Sequence, residues 1–279
     1  MKLRIFNIYF GEAPVYGTDA LLPIQAGRAR TGVDLGMLSD DTGDSISGEN
    51  LRYGEMTAWY WVWKNYLPAH PELEYVGMSQ YRRLLNFAGG GRRSKRTSYS
   101  RFVRRYLKCF DESSVLSALG SADLAIREIR DCGSADLREH FRAKRPEVFA
   151  NWDRFAALMA EREPEFRAEY ERILSGTRIV QGLQFVMRRG LFVDFMEWSF
   201  GLCRAFERRY GWSAPSSGES ARAPAFLIER LFIAWVETRR RSLGLEVKEC
   251  KLMYLSSRPW WYGLAKPVRM LARLRGGKG

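Results

Sequence analysis

Glu74-Tyr75-Val76-Gly77-Met78-Ser79-Gln80-Tyr81-Arg82-Arg83 is a short apolar run that ends in two adjacent arginines. The run reads as a buried strand. Open α/β sheets present ligand-binding groups at the carboxyl ends of their strands, and a guanidinium pair placed there suits a phosphate-bearing ligand. The plainer alternative is two surface arginines that happen to follow a strand.

Working back from this strand, Met56, Trp59, Trp63 and Tyr66 share one helical face, which predicts a helix over 53–66 with Pro68 just past its end. Residues 38–50 hold turn formers and carboxylates and read as a surface loop, and residues 3–10 read as a first strand that breaks at Gly11 to Pro14. Working forward, Gly89-Gly90-Gly91 opens a basic stretch expected to be mobile over 88–110. Residues 112–175 read as mainly helical, with a strand-like Ala122–Ile126 inside them and a charged helix over 152–174. Phe185–Met187 reads as a strand, and 191–209 and 225–236 as helices. No repeat period is visible.

At 279 residues and 46% hydrophobic content the chain can bury a full core and is too apolar for disorder. No run reaches the roughly 18 apolar residues of a membrane-spanning helix, and the amino terminus lacks a cleavage site, so a cytoplasmic location is expected. Four dispersed cysteines and two histidines make no zinc pattern and read as reduced structural thiols. The net charge of +13 is concentrated in two acid-free segments, Arg92 to Lys108 and Lys251 to the end, so the rest of the chain is near neutral. No phosphate loop of the kinase, GTPase or Rossmann type is present.

Several side chains stand out chemically. Asp40, Asp41 and Asp44 form either an ordinary acidic turn or oxygen ligands for magnesium or manganese. Trp59 and Trp63 read as core rather than as a stacking platform. Glu55 lies at a helix start, where a carboxylate either caps amides or faces a ligand. Glu229 and Arg230 lie in an apolar helix, as a structural ion pair or as working groups. His70 falls in a loop, and His140 reads as exposed.

Leu22–Gly27, Gly43–Asn50, Tyr53–Asn65, Tyr75–Gly77 with Gln80–Arg83, Phe185–Met187 and Phe226–Leu231 occur in that order, and together they resemble the DUF4422 family of capsular-polysaccharide and O-antigen glycosyltransferases. The resemblance spans about residues 3–237. It implies a GT-A-like single-domain α/β fold with helical additions over 1–250, and a nucleotide-sugar donor, a UDP-sugar first. It also implies a growing polysaccharide or lipid-linked glycan as acceptor. Arginines can stabilise a departing nucleoside diphosphate where other enzymes place a metal, so metal-independent catalysis is expected over a divalent cation. Under this resemblance Arg82, Arg83, Tyr81, Gln80, Asp44, Asn50 and Gln25 are donor-binding candidates. Glu229, ahead of Glu55, is the candidate base for an inverting transfer, and Arg230 lies beside it. Two departures from the family pattern occur: Gln80 stands where a histidine usually precedes Tyr-Arg-Arg, and Leu183-Gln184-Phe185-Val186-Met187 stands for an Asn-Met-Phe-Ile-Met-like segment.

Residues 251–279 join Pro259-Trp260-Trp261-Tyr262 to a basic amphipathic segment, which suits the cytoplasmic face of an anionic inner membrane; a disordered basic tail is the alternative. Two rival functions remain. The Arg92 to Lys108 cluster, interleaved with Tyr99, Phe102 and Tyr106, allows a nucleic-acid-binding protein, although the near-neutral body makes nucleic acid a disfavoured partner. The Gln80 departure allows a scaffold that kept the fold without the chemistry.

Overall fold

The computed structural model describes residues 1–89, 94–144, 146–180, 182–212 and 219–256. Its strands are β1 (Leu3–Tyr9), β2 (Leu21–Gln25), β3 (Leu38–Ser39), β4 (Tyr75–Gln80), β5 (Arg83–Leu85), β6 (Lys95–Ser98), β7 (Leu124–Arg127), β8 (Arg130–Asp131), β9 (Arg178–Ile179), β10 (Phe185–Arg188), β11 (Val247–Cys250) and β12 (Leu252–Ser256). Among the described residues β8 and β9 make a separate pair, and the others form one sheet whose main path runs β11-β7-β10-β4-β1-β2-β3. β1 is parallel to β2 and β4, whereas β10 runs antiparallel between β4 and β7. From β1 the chain winds to β2 on one side and later to β4 on the other. That reversal opens a crevice at the carboxyl ends of β1 and β4, the usual ligand position in an open α/β sheet.

The sheet is buried on both faces, which explains the unbroken apolar runs. Phe6, Ile8, Val76, Met78, Leu124, Ile126, Phe185 and Met187 point into the larger core under the helices Met56–Trp61, Arg189–Tyr210 and Ala223–Leu243. Leu3, Ile5, Tyr75, Ala125 and Val186 point the other way, against Phe102, Phe110 and Val115. The period of two along each strand separates the sets. Trp59 is fully buried, edge-on to Phe185 at 5.1 Å. Trp63 is half-buried beneath the Lys64 ammonium.

Gly77 sits where the thin side of the sheet is tightest. A Cβ there would lie 2.8 Å from Val186 Cγ2, 2.9 Å from Ile5 Cγ1 and 3.1 Å from the Phe185 carbonyl. Gly77→Ala is therefore expected to destabilise the protein by about 1–3 kcal/mol, read as a lower urea midpoint at unchanged slope. An unchanged midpoint would mean that β4 and β10 part easily.

Several sequence expectations need correction. The helix expected over 53–66 is broken at Gly54, whose φ of +55 ends Asn50–Tyr53; the next helix starts at Met56, widens to a π-helix over Val62–Tyr66 and carries Pro68 in its last turn. The charged helix over 152–174 is two helices, Trp152–Arg162 and Pro164–Leu174, because proline cannot continue a helix but begins one well. The loop over 38–50 is not wholly superficial: Asp40 and Ser47 are buried and β3 joins the sheet edge. In the basic segment, Lys95 onward forms β6 and the helix Tyr99–Arg105, anchored by fully buried Phe102 and Phe110. Residues 90–93, with Arg92 and Arg93, lie outside the described residues, as do 257–279 with the aromatic-basic tail. The sheet itself runs past residue 250, since β12 pairs with β5 and β6.

Candidate active site

A cleft of about 840 Å³ opens at the crevice between β1 and β4. Phe10 enters it from the end of β1, Gln80, Arg82 and Arg83 from the β4–β5 turn, Arg127 from the end of β7, and Arg222, Phe226, Glu229 and Arg230 from the helical side. Arg30, Lys144, His140 and Tyr254 complete a wall that carries seven cationic side chains and two carboxylates. The charge balance favours an anionic ligand.

A hydrogen-bonded row crosses the cleft. Arg83 donates to Gln80 Oε1 at 3.4 Å, Gln80 Nε2 donates to Glu55 Oε1 at 2.8 Å, and Arg222 donates to Glu55 Oε2 at 3.2 Å. The amide of Gln80 suits this place because it accepts from a guanidinium while donating to a carboxylate. Glu55 is thus a cleft carboxylate rather than a helix cap. Gly54 allows the row to close: a Cβ there would meet Arg222 Nη2 at 2.6 Å, and Asn50 holds the turn by donating to the Gly54 carbonyl and to Thr57 Oγ1.

Glu229 and Arg230 are partners across 3.3 Å, and Arg230 also donates to the Val180 carbonyl and stacks over Phe141. The Glu229 side chain is 12% exposed, and burial pushes its carboxyl above the usual glutamate range. The negative charge of Glu55 adds to that shift, while Arg230, Arg222 and the Gly182 amide oppose it.

Arg127 is the anomalous cation. It is 5% exposed, and burial lowers its proton affinity; Tyr254 and Glu229 oppose that shift, while Arg130 and Arg83 add repulsion. Nη1 donates to the Gly182 carbonyl, Nε has no partner, and among the described residues no carboxylate pairs with it. Arg82 is exposed and stacks over Tyr81. With Arg83 these make three guanidiniums at the cleft, none of them in an ion pair among the described residues, an arrangement that favours an anionic ligand.

Of the sequence candidates, Glu55, Gln80, Arg82, Arg83, Asn50, Glu229 and Arg230 line one cleft. Three lie outside its lining. Gln25 spends both ends of its amide on the loop at Val33 and Leu35. Asp44 accepts from Tyr60 and is tied to Asn65. Tyr81 stacks on Tyr9. Nor do the loop carboxylates converge. Asp40 accepts from the Gly27 amide and Ser47, Asp41 pairs with Arg28, and no cluster of metal-ligating side chains occurs among the described residues. His140, expected exposed, is buried at the cleft wall with Nδ1 3.1 Å from Ser134 Oγ, and His70 stacks on Tyr66. Sequence reading missed Arg127, although it closes the apolar run 122–126 as Arg82 and Arg83 follow theirs. It also missed Arg222, which reaches Glu55 from 167 positions away and carried no signal.

The family model described as a domain of unknown function, DUF4422, matches residues 4–240. No curated protein matches the chain. Among solved structures, the apo form of the WbbM bifunctional glycosyltransferase is similar, with a TM-score of 0.82 and 24% identity over 92% of this chain. The match takes up 46% of that protein, so the chain spans about half its length. The α/β architecture expected from the sequence is therefore the fold of this chain, and by its match over 4–240 the chain belongs to the DUF4422 family.

Proposed function

We propose that this cleft binds a nucleotide-sugar donor and transfers the sugar to a growing surface polysaccharide or lipid-linked glycan. The carrying observation is Arg127, a buried guanidinium with no carboxylate partner among the described residues, beside Arg82 and Arg83 at the mouth of the sheet crevice. A cation held this way is costly without an anion, and a diphosphate supplies two negative groups. As the bond from the anomeric carbon to the diphosphate breaks, charge grows on the leaving oxygen, and the three guanidiniums are already in place to stabilise it. The reading needs no divalent cation, because the cleft's two carboxylates are engaged by Arg222 and Arg230. In a transfer that inverts the anomeric carbon, Glu229 takes the proton of the attacking hydroxyl.

A lipid-linked acceptor would place the reaction at the cytoplasmic face of the inner membrane, with the tail beyond residue 256 as one contact. No helix among the described residues is long and apolar enough to cross a membrane.

The test is a melting-temperature series with UDP-, GDP-, CMP- and dTDP-sugars, UDP-sugars first, with EDTA and with manganese. One nucleotide class is expected to stabilise the protein by about 2.7 kcal/mol at a hundred times its Kd, with EDTA present, and the gain is expected to vanish in Arg82→Ala/Arg83→Ala. No gain from any donor at millimolar concentration would return the scaffold reading, and a gain seen with manganese alone would overturn the metal-independent one.

A further inference from the structure

The described start of the first basic segment pairs with the last described strand at one edge of the fold. β6 runs parallel to β12, with Arg96 beside Tyr254 and Ser98 beside Ser256. Ser98 caps the basic helix Tyr99–Arg105 by accepting from the Arg101 amide. Ser256 is the last described residue, and the basic, tryptophan-containing residues 257–279 follow it in the sequence.

We propose that this edge is a docking surface for an anionic membrane, with the folded body supplying its own contact. On the helix Phe102 alone is buried, while Arg101, Val103, Arg104 and Arg105 are exposed, followed by exposed Lys108 and preceded by exposed Arg96. Among the described residues none of these five cations forms an ion pair, and no acid occurs from Arg92 to Lys108. An exposed valine ringed by arginines suits the boundary between headgroups and acyl chains, and each basic group adds attraction to anionic headgroups.

The same observations disfavour nucleic acid. Stacking platforms for bases need open aromatic faces. Here Phe102 is in the core, Tyr99 packs 6.1 Å from Tyr16, and the ring of Tyr106 is covered by the Lys95 ammonium. The edge also adjoins the cleft: the Arg96 guanidinium stacks over Tyr254, a cleft-lining residue, and the Leu255 amide donates to the Arg82 carbonyl. Docking there would hold the cleft mouth near headgroups, where a lipid-linked acceptor lies.

The test uses the full chain, sedimented with phosphatidylcholine vesicles and with vesicles containing about a third phosphatidylglycerol. It needs no catalysis, so it stands or falls apart from the donor reading. The expected result is binding to the anionic vesicles alone, weakened by salt. Arg101→Gln/Arg104→Gln/Arg105→Gln should lose about fivefold per residue, about a hundredfold together, at unchanged melting temperature. The proposal is overturned if the variant binds within about threefold of the parent, if anionic vesicles are not bound, or if a single-stranded oligonucleotide binds more tightly than the vesicles at the same salt.

Discussion

Glu229→Gln is expected to slow sugar transfer by about 10³-fold, within the roughly 10² to 10⁴ that removal of a proton acceptor costs. Glutamine keeps the shape of the side chain and its contact with Gly182, so donor binding should stay close to the parent value, while the melting temperature is expected to fall because buried Arg230 loses its counterion. What it loses is the charge. A carboxyl acts as base only when ionised, and burial raises this one above the ordinary value of 4.5. Transfer is thus expected to fall as pH drops through a midpoint higher than that of a free glutamate, and to be full above it. The acid limb should disappear in Glu229→Gln, leaving a low, flat rate. The decisive measurement is kcat/KM against pH for both proteins. A glutamine variant that keeps its rate within about threefold, or keeps the limb, removes Glu229 from the chemistry and leaves Glu55 as the remaining carboxylate of the cleft.

Arg127→Met should separate function from stability. Loss of one preorganised donor to a developing anion costs about 10² to 10³ in rate, and transfer should fall by that amount. The unliganded protein should unfold no earlier than the parent, because methionine fills a similar slot without a buried charge that lacks a counterion. One hydrogen bond to the Gly182 carbonyl is lost, worth about 1 kcal/mol, and relief of the desolvated charge offsets it. Urea unfolding with and without donor checks both halves: the variant should match the parent alone and fail to gain from donor. A variant that is several kcal/mol less stable would show that Arg127 is structural cement, and the anion site would lose its centre.

Four strands, β1, β4, β7 and β10, were readable as apolar runs and the principal helices from their helical spacing, whereas the other, mostly short or edge strands gave no such run. Tyr75–Met78 and Phe185–Met187 are continuous apolar runs that match a sheet buried on both faces, and Met56, Trp59 and Trp63 share a helical face. Breaks were less visible: the expected helix over 152–174 ran through Pro164, and nothing distinguished Gly54 as the pivot that brings Arg222 to Glu55. Seven of the cleft's residues were legible because they flank β4 or lie in the segments 50–55 and 229–230. Arg30, Arg127, His140, Lys144, Arg222 and Tyr254, by contrast, are polar residues scattered through the chain and joined only by the topology. Gln25 and Asp44 show the converse. Each sits in a segment that marks the family, yet the structure uses both to fasten loops, so a residue within a shared motif is not thereby a ligand.

The place of β10 also bears on how the protein is made. β4 and β7 are joined into one sheet only when β10 slides between them, and β10 leaves the ribosome several seconds after β7 at ordinary synthesis rates. Until then the growing chain carries β4 as an apolar strand with one unpaired edge, the form most prone to pair with another molecule. Arg127 and Gln80 lack a shared wall during that interval, and Glu229 has not yet been made. A chain that stalls before Arg188 therefore lacks the cleft and is exposed to aggregation, so ligand-binding competence in a preparation doubles as a gauge of finished translation.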